Sequence, residues 1–222
     1  STRMNYLALD GCKPLTVNLS ATQQVKMNMI WDLGDGTIID GGDSTRQHTY
    51  NFFGNFIPKL IVRDSSGCVV PITGSDTIPI KGATAKFGLD EDLFCDRGVV
   101  NFIDSTTFNN PITSYTWNFG DGGTSSETSP SHLYTRPGTY AVSLAVRTQN
   151  NCTDTFRLAY PVRIAQSPDI RIAGDTVICA GQGITHVGIL QNADTSAVRW
   201  AWRFPNGKDA FVQLPQRQLY TE

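Results

Sequence analysis

Two aspartates and two histidines carry the side chains best suited to acid–base work. Asp35 and Asp121 each precede a glycine, and His48 and His132 follow them by 13 and 11 residues. A carboxylate and an imidazole can act as general acid and base, but only when both converge on one reacting group. Here each type recurs once per repeat, beside a turn or a tyrosine, which is how structural residues are distributed. Asp35 and Asp121 therefore read as turn formers, and His48 and His132 as hydrogen-bond partners buried next to Tyr50 and Tyr134. His186 stands alone, with no evident partner in the sequence. There is no Gly-x-Ser-x-Gly elbow, no His-Glu-x-x-His helix and no glycine-rich phosphate loop. The chain is expected not to be an enzyme. Zinc lacks a Cys/His cluster of usable spacing. Calcium prefers several oxygen ligands, which makes Asp90, Asp92 and Asp96, with Glu91, its candidate ligands. Asp40 and Asp43 form a second acidic loop. Solvated acidic loops are the competing reading, and no other cofactor is expected.

The elements that position these residues follow from composition and pattern. Of 222 residues, 40% are hydrophobic and only 17% charged, enough apolar surface for packed cores but few of the Lys and Glu that clothe long helices. A net charge of −2 leaves no electrostatic footprint for nucleic acid. No apolar run approaches the roughly 20 residues of a membrane-spanning helix. The start, Ser-Thr-Arg-Met-Asn-Tyr, resembles neither an initiator nor a signal peptide, so the piece reads as mature or excised from something longer.

An internal repeat is the dominant signal. Cys12, Cys95 and Cys179 are spaced by 83 and 84 residues, and Cys68 and Cys152 by 84. Trp31, Trp117 and Trp202 keep step at 86 and 85. The text between repeats too: Ile30-Trp31-Asp32-Leu33-Gly34-Asp35-Gly36 against Thr116-Trp117-Asn118-Phe119-Gly120-Asp121-Gly122, and His48-Thr49-Tyr50 against His132-Leu133-Tyr134. The third copy is degenerate (Trp202-Arg203-Phe204-Pro205-Asn206-Gly207, then Gln218-Leu219-Tyr220) and incomplete by the repeat ruler.

Within a repeat, Tyr140, Val142, Leu144 and Val146 alternate with smaller residues, the period of a half-buried strand. Phe56, Pro58, Leu60 and Val62 do the same, with Pro58 placed at an edge, a bulge or a strand start. The Asp-Gly pairs at 35–36 and 121–122 ask for a tight turn with positive φ. Short strands without a helical run predict an all-β chain of sandwiches. The tryptophans Trp31, Trp117 and Trp202 then belong to the cores. Cys12 and Cys68 are 56 residues apart and Cys95 and Cys152 are 57, each pair flanking one repeat's inner strands. Bridges Cys12–Cys68 and Cys95–Cys152 are predicted, and with them an oxidising compartment.

These motifs resemble the polycystic-kidney-disease (PKD) domain family, with its Trp-Asp-Phe-Gly-Asp-Gly core, downstream His-x-Tyr and Gly-x-Tyr-x-Val-x-Leu-x-Val strand. The second unit matches closely through Gly138-Thr139-Tyr140-Ala141-Val142-Ser143-Leu144-Ala145-Val146, the first with Leu33 and Phe56 as variants. The third departs, with Pro205-Asn206 where Gly-Asp is expected. The resemblance implies tandem immunoglobulin-like PKD β-sandwiches. Gly11-Cys12 and Gly67-Cys68 resemble repeats of Bacteroidetes-type surface proteins, many exported by the type-nine route and some acting in gliding motility and cell adhesion. Triplets such as Asp43-Ser44-Thr45 and Asp104-Ser105-Thr106 resemble that group's O-glycosylation signal.

The period sets domains at 1–82, 83–166 and a divergent, truncated 167–222. The first functional reading is a structural or adhesive segment of a large secreted surface protein, extracellular and joined to further repeats. The alternative is an accessory module of a secreted hydrolase that binds carbohydrate or protein. Its candidate contacts are the loop aromatics Phe52, Phe53 and Phe108, toward surface glycans or other cell-surface proteins.

Overall fold

Alternation of apolar and polar residues dictates the strands, because successive side chains of a strand face opposite ways. The computed structural model describes residues 2–7, 9–22, 28–41, 43–173, 183–184, 186–191, 199–204, 208–211 and 218–219. No helix occurs among them. Backbone proximity groups the chain into two compact units. One comprises Ser1–Asp90, Val100–His132 and Tyr140–Pro161, and the other Glu91–Val99, Leu133–Thr139 and Val162–Glu222.

In the first unit the N-terminal repeat supplies ten strands: β1 Arg3–Tyr6, β2 Gly11–Cys12, β3 Leu15–Thr22, β4 Asn28–Asp32, β5 Ile38–Asp40, β6 Thr45–Tyr50, β7 Gly54–Phe56, β8 Lys59–Arg63, β9 Val69–Thr73 and β10 Ile78–Lys81. They form sheets ordered β1-β3-β6, β5-β4-β8-β9 and β2-β10-β7. β3 turns Val17, Leu19 and Ala21 inward, β4 turns Met29 and Trp31 inward, and β8 does so with Leu60 and Val62. With Leu33, Tyr50, Ile78 and Ile80 these make one buried core, in which Trp31 has no exposed surface. Each fully buried large side chain contributes roughly 1.5–3 kcal/mol. Pro58 is buried just before β8, where its missing N–H leaves no ladder bond unmade.

The second repeat repeats the plan with β11 Ala83–Thr84, β12 Phe87–Leu89, β13 Leu93–Cys95, β14 Gly98–Asp104, β15 Thr107–Phe108, β16 Ile112–Asn118, β17 Thr124–Ser125, β18 Ser131–Tyr134, β19 Gly138–Tyr140, β20 Ser143–Thr148, β21 Thr153–Arg157 and β22 Val162–Ala165. The four-stranded sheet β17-β16-β20-β21 matches β5-β4-β8-β9, with Trp117↔Leu144 in the place of Trp31↔Leu60. Trp117 lies among Phe87, Phe102 and Phe119, at ring-centroid distances of 4.8, 5.5 and 6.4 Å. At the junction, Asn109 donates to Ile80 O (2.8 Å) and accepts from Gly82 N (3.0 Å), so the short linker is itself hydrogen-bonded.

The second unit holds the parallel pair β13–β22, with Leu93↔Arg163 through Cys95↔Ala165. Further along, β23 Ile170–Ala173 pairs antiparallel with β25 Val187–Leu190, following the two-residue β24 Gly183–Ile184. β26 Trp202–Arg203 pairs with β27 Asp209–Ala210, and β24 with β28 Gln218–Leu219. Trp202 is half-buried rather than fully enclosed; Phe204, 5% exposed, takes the buried place, the two rings stacked at 6.2 Å. His186 has company after all, 5.6 Å from the Phe204 ring. Cys179, Tyr220 and the stretch Pro205-Asn206-Gly207 lie outside the described residues.

The disulfide pairing differs from the prediction. Cys12 is bonded to Cys152, 140 residues away, with Cα atoms 5.3 Å apart. Cys68 and Cys95 are free and exposed. Spacing alone misleads because the repeat offers Cys12 two equivalent partners, Cys68 in its own unit and Cys152 one repeat further on. The ends of the sandwich decide. Cys12 lies just before Leu15, which pairs with Tyr50, whereas Cys68 follows Arg63, at the far end of β8 from Lys59 and its partner Asp32. A five-residue strand is roughly 13 Å long, beyond the ~7 Å that a disulfide's Cα atoms can span.

Candidate functional site

The repeated polar residues build one turn, twice. After β4, Leu33 N donates to Thr37 O at 2.9 Å, and Gly34 and Gly36 take φ of 81° and 93°. Positive φ is disfavoured for residues with a Cβ. Gly34 also packs so closely that a Cβ would sit 2.8 Å from Ile57 O, whereas at Gly36 it would meet nothing within 4 Å. Asp32 Oδ1 accepts from Gly34 N (3.0 Å) and Asp35 Oδ1 from Thr37 N (2.9 Å), the local bonding that suits Asp to turns.

The other carboxylate oxygen, Asp35 Oδ2, lies 2.7 Å from His48 Nε2. Tyr50, two residues along β6, donates from its hydroxyl to Leu33 O at 2.8 Å. Its ring meets His48 edge-on at 4.6 Å and stacks on Phe56 at 4.8 Å. The second repeat copies this. Asn118 Oδ1 accepts from Gly120 N (2.9 Å), Asp121 Oδ1 from Gly123 N (2.9 Å), and Asp121 Oδ2 lies 2.7 Å from His132 Nε2. His132 stacks on Phe119 at 4.0 Å. The tryptophan indoles close the far side, Trp31 donating to Asp43 O (3.3 Å) and Trp117 to Glu127 O (2.8 Å). Tyr134, in β18, is buried.

The electrostatics match a structural pair. Burial pushes the Asp35 carboxyl upward, but the hydrogen bond to His48, the Thr37 donors and the imidazole charge outweigh it and hold the group below its usual range. Asp121 behaves alike: burial raises it, and His132 and the Gly123 amide bring it below normal. Burial also raises the Tyr50 phenol. Each imidazole directs Nε2 at a turn carboxylate and is mostly covered, with 14% of the His48 side chain and 19% of His132 exposed. A general base must reach a substrate proton, and these pairs face their own turn.

Two of the acidic candidates for calcium, Asp90 and Asp96, accept hydrogen bonds from protein donors. Asp90 accepts from Asn101 N (2.9 Å) and from its side-chain amide (2.5 Å). Asp96, at φ 60°, accepts from Ser167 N at 2.7 Å, and that bonding holds its carboxyl low. Asp92 offers its carbonyl to Arg163 N (2.7 Å). Among the described residues no three His, Cys, Asp or Glu side chains converge, so Asp90, Asp92 and Asp96 do not form one carboxylate cluster.

The aromatic candidates are not gathered either. Phe52 is 73% exposed in the β6–β7 turn and Phe53 beside it is half-buried. Phe108 lies in strand β15, not a loop, paired with Ala83 and half exposed. No ring contact joins the three. The sequence reading missed Tyr160 and Phe211, exposed by 79% and 74%; isolated aromatics give no periodic signal. An open cleft of about 380 Å³ lies beside the second turn, lined by residues that include Asn118, Val142, Ser143 and Arg157.

The PKD domain model matches residues 8–80 and again 85–161. The chain belongs to the PKD domain family. Among curated relatives, the pre-pro-metalloprotease PrtV of Vibrio cholerae is 32% identical over 97 residues, 44% of this chain and 10% of that protein. Collagenase ColA of Bacillus cereus is 54% identical over 39 residues, 18% of this chain and 4% of that one. The chain thus spans a tenth or less of these relatives. The solved PKD1 domain of Vibrio anguillarum Epp is 33% identical, covering 38% of this chain and 96% of that domain, with a TM-score of 0.33.

Proposed function

We propose that these PKD repeats are a non-catalytic accessory segment of a larger extracellular hydrolase. The observation that carries this is the pairing of each repeated Asp with its repeated His inside a self-contained turn. That uses the acid–base groups for structure. Relatives support the setting, since the matched stretch is a small part of a metalloprotease and of collagenases. The Cys12–Cys152 bridge supports an oxidising, extracellular compartment. The stalk or gliding-adhesin reading draws on cysteine placement and short triplets, and the relatives, from Vibrio and Bacillus, favour the accessory role over it. The partition at 1–82, 83–166 and 167–222 remains the proposed division.

Two measurements test this. The 222-residue chain is expected to leave casein and a quenched peptide uncut; turnover above a heat-killed control overturns the non-catalytic reading. Deleting these residues from the parent should slow hydrolysis of insoluble collagen several-fold and spare a short soluble peptide. Equal rates on collagen with and without the repeats overturn the accessory role.

A further inference from the structure

Among the described residues one bridge is present, with one cysteine from each PKD repeat, and the two other cysteines described are its repeat-equivalents. Cys12 ends β2, which runs parallel to β10 with Lys81 opposite, and Lys13 N donates to Lys81 O at 3.0 Å. Cys95 ends β13, which runs parallel to β22 with Ala165 opposite, and Asp96 N donates to Ala165 O at 2.7 Å. The other half matches as closely. Cys152 closes a turn with Thr148 N bonded to Cys152 O (2.9 Å), Asn151 N to Thr148 O (2.9 Å), and Asn151 at φ 61°. Cys68 closes one with Asp64 N bonded to Cys68 O (3.1 Å), Gly67 N to Asp64 O (3.1 Å), and Gly67 at φ 91°. Even the side-chain brace is shared: Cys152 N donates to Thr148 Oγ1 at 3.1 Å, and Cys68 N to Asp64 Oδ1 at 2.9 Å.

A second, separate feature points the same way. The residue after each strand cysteine reaches the start of the next repeat. Lys13 Nζ meets Thr84 Oγ1 at 2.8 Å and Asp154 at 3.7 Å, beside the bridge. Asp96 reaches Ser167 N at 2.7 Å, one repeat later. Yet bonded Cys152 is buried at 3% exposure while Cys68 and Cys95 lie exposed.

We propose that Cys68 and Cys95 are open halves of this same cross-repeat bridge, each bonded in the full-length protein to a cysteine of an adjoining repeat of the same polypeptide. Cys95 takes the turn cysteine of the repeat that follows, and Cys68 the strand cysteine of the repeat that precedes. The observed step of 140 residues puts the partner of Cys95 near position 235, and that of Cys68 about 72 residues ahead of Ser1. Each bridge forms by thiol–disulfide exchange with a disulfide oxidant. One thiolate attacks the oxidant and expels a thiolate, and the second cysteine displaces the remaining oxidant sulfur. Two electrons and two protons pass to the oxidant, which leaves as two thiols. The exposed positions give the access that exchange needs. The proposal rests on the PKD repeat and not on the hydrolase assignment.

The test is disulfide mapping of the native full-length protein, alkylated with N-ethylmaleimide before non-reducing proteolysis and mass spectrometry. The expected products are Cys12 linked to Cys152, and Cys95 and Cys68 each linked to peptides outside the 222 residues at the stated step. Alkylated Cys68 or Cys95 overturns the proposal. So do links within one repeat, Cys12–Cys68 or Cys95–Cys152, and so does a link from either thiol to its own counterpart in a second copy.

Discussion

At Asp35 and Asp121 a charge is kept partly out of water, and what compensates it is the neighbouring imidazole and the turn amides. Their carboxyls sit below the usual range, so in the unfolded chain they take up protons at a higher pH than in the folded one. The stability they supply is complete above the unfolded value of about 4 and is lost as pH falls through the lower folded value. Thermal melts should therefore hold steady from neutrality down to about pH 5 and drop steeply below about pH 4. Asp35→Asn with Asp121→Asn should cost about 1 kcal/mol per site at neutral pH, the charged hydrogen bond being discounted for solvent screening, and should flatten the acid limb. An unchanged acid slope in the double variant would remove these pairs from the account. Tyr50→Phe leaves the Leu33 carbonyl without its buried donor. It should cost roughly 1–2 kcal/mol, read by urea unfolding.

The elements explain why some of this was legible in the sequence and some was not. Alternation along Val17, Leu19 and Ala21, and along Val142, Leu144 and Val146, reports burial directly, so strands and core residues could be read from it. The Asp-Gly turns were legible for the same local reason, and Gly36 and Gly122 take φ of 93° and 95°. The Asp–His contacts were not: they join β6 to the loop after β4, and β18 to the loop after β16, and no periodicity records which loop lies over which strand. The bridge was misread because a spacing cannot say which end of a sandwich a cysteine occupies. Gly34 and Gly36 separate two reasons for glycine within one turn. Gly36→Ala should cost about 1–2 kcal/mol for the left-handed backbone alone. Gly34→Ala must add the collision with Ile57, and should cost clearly more in parallel urea melts. Equal losses would show that the close approach relaxes freely.

For the chain as a whole, the Cys12–Cys152 bridge closes a loop of 140 residues around most of both PKD repeats. In the chain-entropy model a loop of that length is worth about 5 kcal/mol. Each repeat keeps its own core around Trp31 or Trp117, so reduction should lower the melting temperature in calorimetry without abolishing the fold. A reduced chain that is unfolded at room temperature would contradict independent cores. The bridge also sets how the protein bears a pull. Tension arriving along the backbone at Cys12 crosses the sulfurs and leaves at Cys152, so the residues between them carry none of it. Stretched singly under oxidising conditions, this segment should yield contour only from the stretches outside the bridge, β1 at one end and β21 onward at the other, and none from the residues between the two cysteines. Under a reductant it should pay out on the order of 500 Å as both unravel.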